Sequence, residues 1–154
     1  MPVKPVPEDH NSVSPYIIVP GAARLIDFLK QTFEAAELGR MAQPDGTIMH
    51  AEVKIADSVI MIADASAEYG PMPARLHVYV TDVDSAYQRA LQAGATSQME
   101  PADQFYGDRE SGVIDPFGNV WWIGMHKEDV SADELAKRAE AFAREQGHGD
   151  TQAR

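Results

Sequence analysis

Arg75, His77 and Tyr79 alternate along one short apolar run, so a strand there presents a guanidinium, an imidazole and a phenol on a single face. Tyr16 and Trp122 add flat apolar walls, and Arg109 adds a further fork of donors. By the same alternation His50 and Glu52 share the face of another strand. Aromatic walls with a few cationic donors suit an aromatic or anionic small molecule. Two of these readings have a plain structural counterpart: Arg75 and His77 either line a site or stand at an exposed sheet edge. Likewise Tyr106-Gly107-Asp108-Arg109 is either a loop whose Arg109 reaches the ligand or a turn that leads into a strand. Trp121 and Trp122 are neighbours on one strand and face opposite ways, which makes one of them ordinary core. Asp115-Pro116-Phe117-Gly118-Asn119 reads as a turn, with Asp115 as its cap, and not as a catalytic site. No serine nucleophile elbow, phosphate loop or dinucleotide fingerprint occurs.

The elements that must position these residues come in two similar sets. An offset of 61 residues pairs Tyr16 with His77, Ile18 with Tyr79, Asp45-Gly46 with Tyr106-Gly107, Val59 with Val120 and Met61 with Trp122. One offset linking separated segments is the sign of a duplicated supersecondary unit. The first set predicts a strand at 14–20, a helix at 22–33 with Leu25, Leu29 and Phe33 on one stripe, a hairpin of 37–41 and 47–55, and a strand at 58–62. A linker rich in Gly and Pro spans 65–73. The second set predicts a strand at 75–81, a helix at 84–93 closed by Gly94, and strands at 97–99, 111–114 and 119–125. Ser131 to Glu134 forms a capping box for a last helix ending before Gly147, and the residues from Gly147 onward read as a loose tail.

These elements make an α+β fold: two tandem βαβββ modules, about 12–66 and 74–126, whose curved mixed sheets surround a cleft, plus the C-terminal helix. Residues 1–126 form a single domain and 127–154 the helix and tail. Helices shield one side of each sheet. Ile17, Val19, Leu76, Val78 and Val80 face them, leaving Tyr16, Ile18, Arg75, His77 and Tyr79 for the concave side. The leader, residues 1–11, is disordered or draped over the body.

Composition narrows the function classes. The 154 residues are 44% hydrophobic and 24% charged, enough for one core. A net charge of −11, from 24 acidic and 13 basic residues, repels phosphate backbones and argues against nucleic acid. No apolar run is long enough for a bilayer, and the start lacks a signal-peptide hydrophobic segment, so the expected location is cytoplasmic, with no membrane partner. Cysteine is absent, which removes disulfides, thiolate ligands and a cysteine nucleophile.

Three segments of the second half, YVTDVDSAYQRALQAGA (79–95), MEPADQFYGDR (99–109) and DPFGNVWWI (115–123), resemble the vicinal oxygen chelate superfamily of glyoxalases, bleomycin-resistance proteins and extradiol dioxygenases. Within it they are most similar to the PhnB-like branch. SPYIIVPGAARLIDFLKQTFEAAEL (14–38) and HAEVKIADSVIMIAD (50–64) agree. The resemblance implies paired βαβββ modules, a small-molecule cleft and a homodimer. It also implies, for the enzymes, metal ligands on the first and last strands of each module. Those positions here are Tyr16, Met61, His77 and Trp122, of which only His77 binds a divalent ion. A slip of two residues along each strand brings in no carboxylate. The expectation is therefore a metal-free binding protein with no cofactor, its ligand contacted by Tyr16, His50, Arg75, His77, Tyr79, Arg109 and Trp122, with Trp122 as the floor. The alternative is a metal-dependent glyoxalase- or dioxygenase-like enzyme with a relocated site built from His50, His77 and Glu52 or Asp64.

Overall fold

The computed structural model describes residues 2–149. The first module runs β1 (Tyr16–Val19), α1 (Ala22–Phe33), β2 (Ala36–Ala42), β3 (Ile48–Ile55) and β4 (Ser58–Asp64). The second repeats the order with β5 (Arg75–Tyr79), α2 (Val83–Gln92), β6 (Thr96–Asp103), β7 (Asp108–Ile114) and β8 (Val120–His126). A last helix, α3, spans Ala132–Gly149. Each module forms a four-stranded sheet, ordered β1-β4-β3-β2 and β5-β8-β7-β6, in which the first strand runs parallel to the fourth. The register reproduces the repeat: Tyr16 lies opposite Met61, and 61 residues later His77 lies opposite Trp122.

Alternation assigns the faces. Ile17 and Val19 are buried against α1, whereas Tyr16 is 51% exposed on the open side. On β5 the exposed residues are Arg75, His77 and Tyr79. Trp121 is fully buried, its ring 5.5 Å from that of Phe33 at the end of α1. This packing joins the two modules through their helices, aided by the Arg89 side chain, which donates to the Thr32 carbonyl at 3.0 Å. Asp82 caps α2 by accepting from the Ser85 amide at 3.0 Å.

Three elements differ most from the sequence reading, the others by no more than two residues at an end. Strands β6 and β7 begin earlier and run longer than 97–99 and 111–114, because β6 is an edge strand whose Gln98, Glu100 and Pro101 carry no apolar alternation. Helix α3 continues through Gly147 to Gly149, since a single glycine costs only about 1 kcal/mol in a helix and does not by itself stop one. The rest of the expected tail, residues 150–154, lies outside the described residues. The leader is draped: Lys54 reaches Asp9 at 2.8 Å, and His10 reaches Glu52 at 2.9 Å. Among the described residues no helix is long and apolar enough to cross a membrane.

Candidate functional site

The open face of the second sheet gathers polar side chains from three adjacent strands. Its cross-strand rows run from His77 through Trp122 to Gly112, and from Tyr79 through Gly124 to Glu110. His77 donates from Nε2 to Glu110 Oε1 at 2.8 Å, and the Tyr106 hydroxyl donates to Glu110 Oε2. The Tyr79 hydroxyl donates to Asp108 Oδ2 at 3.3 Å, and its ring lies 4.6 Å from that of His77. Asp108 Oδ1 accepts from His126 Nδ1 at 2.7 Å, while His126 Nε2 bonds Asp129 at 2.7 Å.

Two glycines make this arrangement possible. A Cβ at Gly112 would stand 2.6 Å from the Trp122 ring, and one at Gly124 would stand 2.8 Å from the His77 ring. Both rings lie close over a neighbouring strand where any side chain would displace them. Electrostatics follow from the carboxylates. Burial first, then the bond to Glu110, pushes the Tyr106 phenol well above its usual value. The Asp108 charge raises that of Tyr79, and the carboxylates of Asp129 and Asp108 hold the His126 imidazole upward, favouring its charged form.

The first sheet carries a related chain of contacts. The Tyr16 hydroxyl donates to His50 Nδ1 at 3.1 Å, His50 Nε2 bonds Glu52 at 3.2 Å, and Glu52 also takes His10. The bond from His50, with that from His10, lowers the Glu52 carboxyl. By pairing geometry Tyr16 and His77 are equivalent, and so are His50 and Glu110: each bond joins the first strand to the third across a small residue of the fourth, Ala63 or Gly124. A cavity of about 750 Å³ lies over this sheet, with Tyr16, Ile18 and Ala63 among its lining and Met49 and Tyr69 at its side. His77 and Tyr79 instead line a smaller groove of about 330 Å³ between the modules. The first sheet has the larger volume, the second the convergent aromatic and polar groups; because shape without fixed donors does not specify a ligand, the candidate site is the second sheet's open face.

The residues anticipated from sequence thus fall into two groups and an outlier. His77, Tyr79 and Trp122 meet on the second sheet, with Arg75 exposed on the same face. Tyr16 and His50 meet on the first. Arg109 joins neither, since its side chain leaves the helix side of β7, where Asp84 holds it at 2.7 and 2.8 Å and Asp103 at 3.1 Å. There it ties β7 to α2 and to the end of β6, and it is withdrawn from both open faces. Sequence reasoning assigned no contact role to Glu110 or His126, and none to Tyr106 and Asp108 beyond the loop that carries Arg109; all lie on the third and fourth strands or the loop before them.

The divalent metal that the resemblance implies does not fit these residues. Of the four inherited positions only His77 offers a donor for a divalent ion, and its Nε2 is committed to Glu110. Asp64, a member of the relocated set, accepts the backbone N–H groups of Gly21, Ala22 and Ile48 at 2.7–2.9 Å. Burial opposes its charge, but these donors prevail and hold its carboxyl below the usual range. Among the described residues no group of three or more His, Cys, Asp or Glu side chains is placed to hold an ion.

Residues 10–123 match the glyoxalase/bleomycin resistance protein/dioxygenase superfamily. The chain belongs to that superfamily. An uncharacterized protein of Mycobacterium tuberculosis strain H37Rv, Rv0887c, is 39% identical over 135 residues, covering 80% of this chain and 79% of the relative. Among solved structures, TioX from Micromonospora sp. ML1 superposes with a TM-score of 0.62 at 25% identity, over 79% of this chain and all of TioX. TnmS3 from Streptomyces sp. CB03234, described as an antibiotic binding protein, gives a TM-score of 0.57 at 24% identity, over 76% of this chain and 98% of its own. The superfamily's paired modules are those described above.

Proposed function

We propose that this protein binds a small molecule without a metal and acts by sequestration, of an antibiotic or of a metabolite. One observation carries the reading: the two register pairs where the superfamily's enzymes present metal ligands are Tyr16 with Met61 and His77 with Trp122. These offer stacking surface and a carboxylate-held imidazole in place of a coordination sphere. The antibiotic-binding description of TnmS3, a protein of the same fold, supports it. The narrower PhnB-like placement and a cytoplasmic location belong to the same proposal.

Elemental analysis of protein purified without added metal tests the reading, with no stoichiometric divalent ion as the expected result. About one tightly held Zn, Ni, Mn or Fe per chain overturns it and favours the enzyme with a non-standard metal site.

The proposal includes a homodimer. Both sheets leave their concave faces uncovered in one chain, with Tyr16, Met41, Met49 and Tyr79 all more than half exposed. A second copy laying one such face over another completes an enclosed cleft and shields the edge strands β2 and β6. Sedimentation at micromolar concentration is expected to give twice the chain mass of 16.9 kDa. A monomer mass counts against the dimer.

A further inference from the structure

The carboxylates on the second sheet's open face are already occupied by the protein's own donors. Glu110 takes His77 on one oxygen and Tyr106 on the other, and Asp108 takes Tyr79 and His126. Both are largely shielded, with side-chain exposures of 13% and 9%. Their negative charge therefore orients the aromatic rings and is poorly placed to receive a cation. The cations elsewhere on this sheet are also committed: Arg109 to Asp84 and Asp103, Lys127 to Asp103.

Arg75 is the exception. It opens β5, lies exposed on the same face as His77, and its side chain has no hydrogen-bond or ion-pair partner among the described residues. Its register partner is Val120, one alternation along β8 from Trp122. Strand geometry puts its Cα about 8 Å from that of Trp122, from roughly 6.7 Å along the strand and 4.8 Å across it. The Trp122 ring lies over Gly112 on β7, so a ligand resting on it meets the guanidinium by reaching back across β8, and five free donors beside a stacking surface match a planar ring bearing a carboxylate.

We propose that this face recognises an aromatic anion, with its ring on Trp122 beside His77 and its negatively charged group on Arg75. The assignment rests on the small-molecule reading above and specifies its ligand class. The net charge of −11 does not reverse it, since exposed charges more than about 8 Å away are largely screened at physiological ionic strength, leaving the nearby guanidinium dominant.

Cinnamate and cinnamylamine, nearly the same shape with opposite charge, test the class by titration calorimetry alongside tryptophan fluorescence. Cinnamate is expected to bind about ten-fold or more tightly than the amine, and Arg75→Gln to abolish that preference with the melting temperature unchanged, because the exposed side chain holds no hydrogen bond or ion pair in the fold. Binding of the amine as tight as or tighter than that of the acid, as cation–π attraction to Trp122 would produce, overturns the anion assignment and leaves the small-molecule reading standing. A preference for cinnamate that survives Arg75→Gln also overturns it, by placing the anion elsewhere. If neither probe binds at millimolar concentration the assignment fails, and the broader reading then stands or falls on whether any compound in a chemically diverse set shifts the tryptophan emission.

Discussion

Trp121→Ala and Trp122→Ala are expected to fail in opposite ways although the two residues are neighbours. Trp121 is fully buried, packs on Phe33 and donates its indole N–H to Asp115 at 2.8 Å. Its truncation leaves a large cavity and removes one of the two donors to Asp115 Oδ2, the Asn119 side chain remaining, at a cost of about 3–5 kcal/mol. For a domain of this size that lowers the melting temperature by roughly 10 °C or more. Trp122 points to the open face and rests over Gly112. Its loss should leave the fold intact and weaken cinnamate binding about ten-fold or more, consistent with a stacking contribution of about 1 kcal/mol beyond the area buried. Thermal unfolding and calorimetry on the two variants separate the roles. Equal losses of stability at both positions would make Trp122 core in solution and remove it from the site.

Asp115→Ala should destabilise nearly as much as Trp121→Ala. Asp115 is only 4% exposed and accepts from the amides of Phe117 and Asn119, the Asn119 side chain and the Trp121 indole, at 2.8–3.0 Å. It closes the β7–β8 turn and anchors the tryptophan that joins the modules. Alanine there strands several buried donors, each costing about 1–3 kcal/mol when unsatisfied, so a total near 3–5 kcal/mol is expected after partial relaxation. Asp115→Asn keeps a carbonyl acceptor and should fall between. Urea unfolding midpoints give the comparison, and a loss under about 1 kcal/mol for the alanine variant would show that the turn holds without its cap. Because none of these partners reaches the open face, ligand affinity per folded molecule should not change.

Why the turn and the tryptophan were legible while half of the site was not is a matter of register. The offset of 61 residues holds for the first and fourth strands of each module, which is why Tyr16, Met61, His77 and Trp122 were placed on the right face from sequence. On the third strands the offset is 60: Glu52 lies opposite Met61, and Gly112 lies opposite Trp122. Carrying 61 onto His50 reaches Ser111, a buried residue on the helix side, whereas the true equivalent is Glu110. A one-residue slip sends a strand side chain to the other face, so the carboxylate that holds His77 stayed out of view. Arg109 entered the expected site because residues 106–109 read as a loop, whereas it stands on β7, one position from Glu110 and facing the other way.

What the amino-acid sequence determined by itself was the architecture and its faces: hydrophobic alternation, helix stripes and turn residues are local, and two copies of one pattern doubled the signal. The superfamily followed from the same segments. Only the tertiary structure decided which donors meet. Glu110 reaches His77 across 33 residues of chain, and Glu52 reaches His10 across 42, through contacts set by strand pairing and by two glycines that leave room for rings. It also decided which charges are left over. Arg75 and Arg109 are indistinguishable as letters, but Arg109 faces Asp84 and Asp103 and Arg75 faces open solvent on the side of the sheet that carries Trp122, and that difference exists only once the sheet has formed.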